Sequence, residues 1–164
     1  MVLPHRFFVR TLTGNDVKKL HGARGTFEPD LGETARDTDS SFWGWPAKYR
    51  LVTRKKARLE WKAKARLSSS IRPGGSPITV TLWAREPRED HLPEHRFGLG
   101  PIGRVRGLVP ADFDTSSLVV LERSPDGSGL DYSVRFITHA EPDYRLFEPY
   151  LTEEAPEHRY GYGP

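Results

Sequence analysis

The stretch Ala57–Leu67, Ala-Arg-Leu-Glu-Trp-Lys-Ala-Lys-Ala-Arg-Leu, decides the fold class. Ala57, Leu59, Trp61, Ala63, Ala65 and Leu67 share one parity, and Arg58, Glu60, Lys62, Lys64 and Arg66 share the other. A period of two kept over this length is the signature of a half-buried β-strand, here with a cationic outer face. Its neighbours extend it into a sheet. Upstream, Tyr49–Thr53 reads as a separate short strand, joined through a charged turn at Arg54-Lys55-Lys56. Downstream, Pro73-Gly74-Gly75-Ser76-Pro77 is a loop, and Ile78–Arg85 (ITVTLWAR) is the partner strand.

Further out the same punctuation continues. Arg6–Leu12 (RFFVRTL) reads as a first strand that runs into a turn or helix cap at Thr13–Asp16, with Val17–Leu20 as one helical turn. Gly22–Ser41 is polar, broken by Gly22, Gly25, Pro29 and Gly32, and has no sustained period, so it reads as a long excursion from the sheet. Glu86–Pro93 is a charged loop, and the glycine-punctuated His95–Val109 has no clear strand pattern. Ser117–Glu122 and Leu130–Ile137 flank the turn Ser124–Gly129 as a closing hairpin, and Pro142–Leu151 can form a short helix. His158–Pro164 reads as frayed. The expectation is a mainly β protein, a small barrel of six or seven strands with one or two short helices. It would be a single domain over residues 1–156 with a flexible tail at 157–164.

Composition agrees with one folded unit. A chain of 164 residues, 36% hydrophobic and 11% aromatic, can bury a core of its own. No apolar run approaches the ~20 residues that span a bilayer, and charge follows Met1–Pro4 at once, leaving no signal-peptide core. A cytoplasmic location without membrane contact is therefore expected. The absence of cysteine removes disulfides, zinc ribbons and thiol nucleophiles together.

Charge is distributed unevenly. Residues 1–110 hold 21 Lys and Arg against 11 Asp and Glu, whereas residues 111–164 hold 4 against 11, so net charges of +10 and −7 underlie the overall +3. Between Ala47 and Leu67 lie Lys48, Arg50, Arg54, Lys55, Lys56, Arg58, Lys62, Lys64 and Arg66, with Glu60 the single acid. Such a density of cations fits a phosphate-binding surface with salt-sensitive affinity. A solvated strand edge kept cationic against self-pairing is the plainer alternative. Two loop clusters flank this stretch: Lys18, Lys19, His21 and Arg24 before it, and Arg85, Arg88, His91, His95 and Arg96 after it. Loop arginines and lysines can reach base edges in a major groove. Phe42-Trp43-Gly44-Trp45-Pro46 either anchors the excursion to the core or offers Trp43 and Trp45 to a ligand; stacked rings of that kind belong mainly to single-stranded recognition.

Catalysis has one weak signature. Pro29-Asp30 followed by Glu60-Trp61-Lys62 has the outline of the proline–aspartate…glutamate-x-lysine nuclease motif, in which two carboxylates hold Mg²⁺ and the lysine assists water. The letters are short and common, and Asp30 falls in apparent loop. The six histidines show no metal-ligand spacing, and no phosphate-cradling glycine loop or nucleophile elbow occurs. No cofactor, metal or catalytic residue is expected on the chain.

Phe8–Lys19 (FVRTLTGNDVKK) resembles the opening of the plant B3 DNA-binding domains, and Ser117–Ser124 with Tyr132–Ile137 resembles their final hairpin. The restriction-endonuclease branch of that family is the more similar one. The resemblance implies a seven-stranded, open B3-like pseudobarrel that extends two arms into the major groove of double-stranded DNA, as the target-recognition module of a restriction endonuclease system. A nuclease domain or subunit would be its partner. Carried over, the first arm is roughly Lys18–Trp43, with Lys18, Lys19, His21 and Arg24, and the second roughly Arg85–Pro101, with Arg88, His95 and Arg96. Trp43, Trp45, Lys48, Arg50 and Arg104 complete the expected DNA-binding set. The acidic composition of Gly25–Ser41 departs from the family's basic arm.

Overall fold

The computed structural model describes residues 5–32, 35, 40–53, 57–87, 93–100 and 107–164. In chain order the elements are β1 (Phe7–Thr11), α1 (Gly14–Leu20), α2 (Ser40–Trp43), β2 (Arg50–Val52), β3 (Arg58–Ser69), β4 (Ile78–Arg85) and β5 (Glu94–Gly98). They continue with β6 (Leu118–Arg123), β7 (Tyr132–Ile137), α3 (Tyr144–Phe147), a 3₁₀ turn at Glu148–Tyr150, β8 (Glu153–Glu154) and β9 (Arg159–Gly163). The protein is mainly β, as expected, although nine strands rather than seven make up the sheet among the described residues.

The parity read from Ala57–Leu67 organises everything else. Along β3, Trp61, Ala63, Ala65 and Leu67 are buried while Lys62, Lys64 and Arg66 are exposed. β3 is long enough to serve two partners along one edge. Its start pairs β2 (Leu51↔Leu59) and its end pairs β7 in parallel (Leu67↔Val134), with β4 antiparallel on the other edge. At the changeover Asp131 exchanges bonds with Lys64: its amide donates to the Lys64 carbonyl at 2.8 Å, and its Oδ2 accepts from the Lys64 amide at 2.8 Å. The strand order is β5-β4-β3-β7-β6-β1-β9-β8, with β2 alongside β3.

The sheet curls, and one stretch of the long excursion partly closes it. Phe27–Leu31 runs along the outer edge of β5 through Leu31 N→His95 O (2.9 Å), Phe97 N→Pro29 O (3.1 Å) and Leu99 N→Phe27 O (3.0 Å). Pairing this edge blunts its capacity to template another chain. The stretch then reaches Gly32, whose φ of +91° and closeness to the Tyr160 ring of β9 leave no room for a Cβ. Inside the curl lies the main core, which includes Phe8, Leu12, Phe42, Trp43, Phe97, Tyr132 and Phe136. A smaller core forms on the opposite face of β1 and β6, where Phe7, Val9, Leu118 and Val120 pack against Phe147 and Leu151. The C-terminal helix and turn thereby cover half of the outer face. Among the described residues, the half made by β3, β4 and β5 carries no such cover.

The end of the chain corrects an expectation. Arg159–Gly163 is not frayed: it pairs β1 from Phe7↔Gly163 to Arg10↔Tyr160. The glycines that suggested a loose tail are there for close packing. A Cβ on Gly161 would fall 1.7 Å from the Tyr150 carbonyl oxygen. Within His95–Val109, where no strand was clear, β5 begins at Glu94 and ends at Gly98. The expected turn at 54–56 lies outside the described residues.

Candidate nucleic-acid interface

The uncovered half of the sheet presents one chemical character. Lys64 and Arg66 project from β3 into solvent, and neither side chain meets an acid within 4 Å among the described residues. Lys62 is more engaged, donating to Thr81 Oγ1 at 2.7 Å and standing 3.8 Å from Glu60. Beside this row the cross-strand register aligns Glu60, Trp83 and Arg96 on β3, β4 and β5. Trp83 faces outward yet is only 4% exposed. Guanidinium groups cover it: Arg58 at 4.6 Å, Arg85 at 4.9 Å and Arg96 at 5.9 Å from its ring centroid, the geometry of cation–π attraction.

The expected contact residues divide into four groups. Exposed and able to reach a ligand are Lys18 in α1 and Arg24 after it, Lys48 before β2 and Arg50 at its start. Lys48 lies 4.8 Å over the Trp61 ring, and Arg50 bonds the carbonyls of Ala47 and Tyr49. His21 is exposed but shares a 2.7 Å hydrogen bond with the Phe113 carbonyl. A second group is internal, which corrects the expectation for it. Trp43 is fully buried with Nε1 donating to Tyr162 Oη at 2.8 Å, and His95 is 3% exposed with Nε2 at 2.7 Å from Tyr49 Oη. These two rings hold the excursion onto the sheet and offer no face to a ligand. Trp45, half-buried, packs edge-on against Tyr49 at 4.8 Å. Arg88, His91 and Arg104 form the third group and lie outside the described residues.

The fourth group, Lys19 and Arg96, one from each expected arm, meets at the same open cleft of about 620 Å³. Its character is the reverse of the β3 face. Against Arg10, Lys19 and Arg96 stand Asp16, Glu28, Asp30, Glu153, Glu154 and Glu157, so the cleft repels phosphate. Arg10 explains how the cleft is built. On β1 it shares the inward parity of Phe8 and Leu12, is 1% exposed, and donates from Nη2 to Asp16 Oδ2 at 2.8 Å and from Nη1 to the Asp30 carbonyl. Burial pulls its pKa below the ordinary arginine value, and the carboxylates of Asp16 and Asp30 oppose that shift. Asp16 also completes a capping box with Thr13 at the start of α1. His158, on the rim, is pushed down to about 4, first by burial and then by the nearby Arg10 charge. It is neutral near pH 7.

Asp30 and Glu60, the two carboxylates of the nuclease alternative, sit on separate strands: Asp30, Arg96, Trp83 and Glu60 are successive partners across the sheet, so three strand spacings, about 14 Å, separate their backbones. Two carboxylates that share a magnesium ion must both lie within about 2.1 Å of it. Glu60 is instead paired with Arg58 at 2.6 Å. No group of three His, Cys, Asp or Glu among the described residues is arranged to hold a metal, and none of their helices is long and apolar enough to cross a membrane.

Fold and site together define a curled, mainly β sheet with one cationic, uncovered half-face and an acidic cleft at its closing seam. No protein-family model matches this sequence, and no curated protein matches it.

Sequence reasoning missed Trp83 and Arg10 as organising residues, and it named Arg58 and Arg85 only as members of the basic stretch and a loop cluster. A signal existed for Trp83 and for Arg10. Period two places Trp83 with Thr79 and Thr81 on the wet side of β4, and Arg10 with Phe8 and Leu12 on the dry side of β1. An aromatic residue in a wet row and a cation in a dry row are the informative exceptions to burial.

Proposed function

We propose that this protein binds double-stranded DNA through the uncovered face of β3, β4 and β5, as the recognition module of a restriction system whose catalytic part is a separate nuclease domain or subunit. The observation that carries the reading is the row Lys62, Lys64 and Arg66 on the wet side of a strand paired on both edges. A rigid row of cations can track a phosphate backbone without ordering long side chains from a loop. Glu60 and Glu94 share this face with Arg58, Lys62, Arg85 and Arg96, and the other described acids gather mainly at the cleft and around the C-terminal helix. Contacts of this kind position a protein on a duplex and do not specify sequence. Base readout falls to exposed loop residues, of which Arg24, exposed after α1, is a described candidate. The restriction context rests on the B3 resemblance at Phe8–Lys19 and Ser117–Ile137.

The test compares a duplex with each of its single strands at several salt concentrations, with and without Mg²⁺. Duplex affinity that falls steeply with salt and ignores Mg²⁺ is expected. Mg²⁺-dependent cleavage abolished by Lys62→Ala would overturn the assignment in favour of a nuclease. Loss of preference for one sequence in Arg24→Ala would identify a base contact, whereas uniform weakening would make Arg24 a phosphate contact.

A further inference from the structure

We infer that Trp83 and the three guanidinium groups above it form a seat for one phosphate group, the fixed anchoring point of this face. The inference rests on the duplex reading only in naming that phosphate as a backbone diester. An outward indole in a sheet is ordinarily covered by apolar neighbours or left wet. Trp83 is neither: its cover is Arg58, Arg85 and Arg96. One of these arginines is held loosely. Arg85 approaches Glu94 at 3.7 Å, too far for a hydrogen bond, so its donor fork is largely unspent among the described residues, whereas Arg96, 3.6 Å from Glu94, is anchored by Nη1 donating to the Glu28 carbonyl at 3.0 Å and keeps only the rest of its fork.

Two donors in the cluster are also shut away from solvent with no acceptor among the described residues, Trp83 Nε1 and Arg85 Nε. A buried N–H left unmade costs about 1–3 kcal/mol, and here two such costs coincide in one place. An oxyanion with several acceptor oxygens would supply the missing partners and offset the charge excess of three guanidiniums over Glu60 and Glu94. Phosphate fits better than carboxylate. Its tetrahedral oxygens can be shared among converging forks, and planar guanidinium is the side chain suited to that contact. The arginine side chains are between a quarter and about a third exposed, so an anion reaches them from solvent. The seat adjoins Lys62 in the same face, and a duplex strand held at Trp83 would run on along the β3 row.

The experiment reads the indole N–H of Trp83 directly, in ¹H–¹⁵N spectra assigned with Trp83→Phe. Inorganic phosphate is titrated against sodium chloride at matched ionic strength, and then a short duplex is added in a separate series. A saturable shift of the Trp83 signal with phosphate but not with chloride, while the buried Trp43 signal stays in place, is expected. Arg85→Met should weaken that response about tenfold, and Arg85→Lys, which keeps the charge but loses the fork, should weaken it by a smaller factor. No saturable shift, or an undiminished shift in Arg85→Met, overturns the seat. If Arg85→Met does not fold, Arg58→Lys takes its place with the same two readings. A response to phosphate without one to duplex upholds the anion seat and overturns the diester assignment together with the duplex reading. A duplex response that Arg85→Met leaves intact upholds duplex binding and overturns the seat.

Discussion

Neutralising Lys64 and Arg66 together is the sharpest test of the β3 row. Both side chains are exposed and meet no acid within 4 Å among the described residues, so Lys64→Gln/Arg66→Gln removes two charges without stranding a partner. Two residues apart on a strand is about 6.8 Å, and a duplex offers a phosphate about every 3.4 Å along each strand, so both cations can engage one backbone at once. Each neutralised phosphate contributes about 0.9 to the slope of log affinity against log salt. The double variant should therefore flatten that slope by about 1.8. At about 0.15 M salt the counterion contribution alone then falls about 30-fold, or about 2 kcal/mol. Folding stability should change by no more than about 0.5 kcal/mol, since both sites are wet and unpaired. Fluorescence anisotropy of a labelled duplex over a salt series gives the slope, and urea unfolding gives the stability. An unchanged slope in a variant of unchanged stability would refute the reasoning. Lys62→Gln should flatten the slope less than either single change, because Lys62 already spends its charge on Glu60 and Thr81.

Arg10→Met should destabilise the fold by about 3 kcal/mol, because Asp16 would stay buried without its cation while retaining only the Thr13 amide; a loss below about 1 kcal/mol in urea unfolding would count against the pair as the keystone of the cleft. His158 falls from 6.5 unfolded to about 4 folded, so the unfolded chain takes up its proton first. Its contribution is complete above pH 6.5 and is lost as pH drops towards 4. The full shift corresponds to about 3 kcal/mol, which screening at this half-buried position reduces to roughly 1–2 kcal/mol. His158→Gln should be correspondingly less acid-sensitive over that window, and parallel stability–pH curves for the two proteins would exclude the effect. Trp43→Ala should cost about 3–5 kcal/mol through the cavity it leaves, with any loss of nucleic-acid binding tracking unfolding. A stable Trp43→Ala protein that loses only single-strand affinity would instead restore Trp43 as a stacking ring.

How much of this molecule could be read beforehand depends on how far apart the deciding residues lie. Period two is a local property, and it placed β3, β4, β6 and β7 within two residues of their observed ends. It also named the wet cations Lys62, Lys64 and Arg66 correctly, since alternation fixes the face once one face is buried. The same alternation held the clues to Trp83 and Arg10, but a single exceptional residue does not reveal what covers it. Arg58, Arg85 and Arg96 converge on Trp83 only through the register of three strands. The acidic cleft needs residues near 16, 30 and 155 brought to one seam, and no window of sequence contains them. The tail misled for a related reason: Arg-Tyr-Gly-Tyr-Gly has the composition of coil, and it becomes a strand because β1 leaves an edge there and Tyr150 approaches too closely for any side chain. Most strands, their wet and dry faces and the charge they carry were legible along the chain, because they follow from backbone periodicity over a few residues. Which wet face stays open among the described residues, where β5 and β9 form and which side chains share a site emerge only on folding, because pairing partners and closure depend on contacts made across the whole chain.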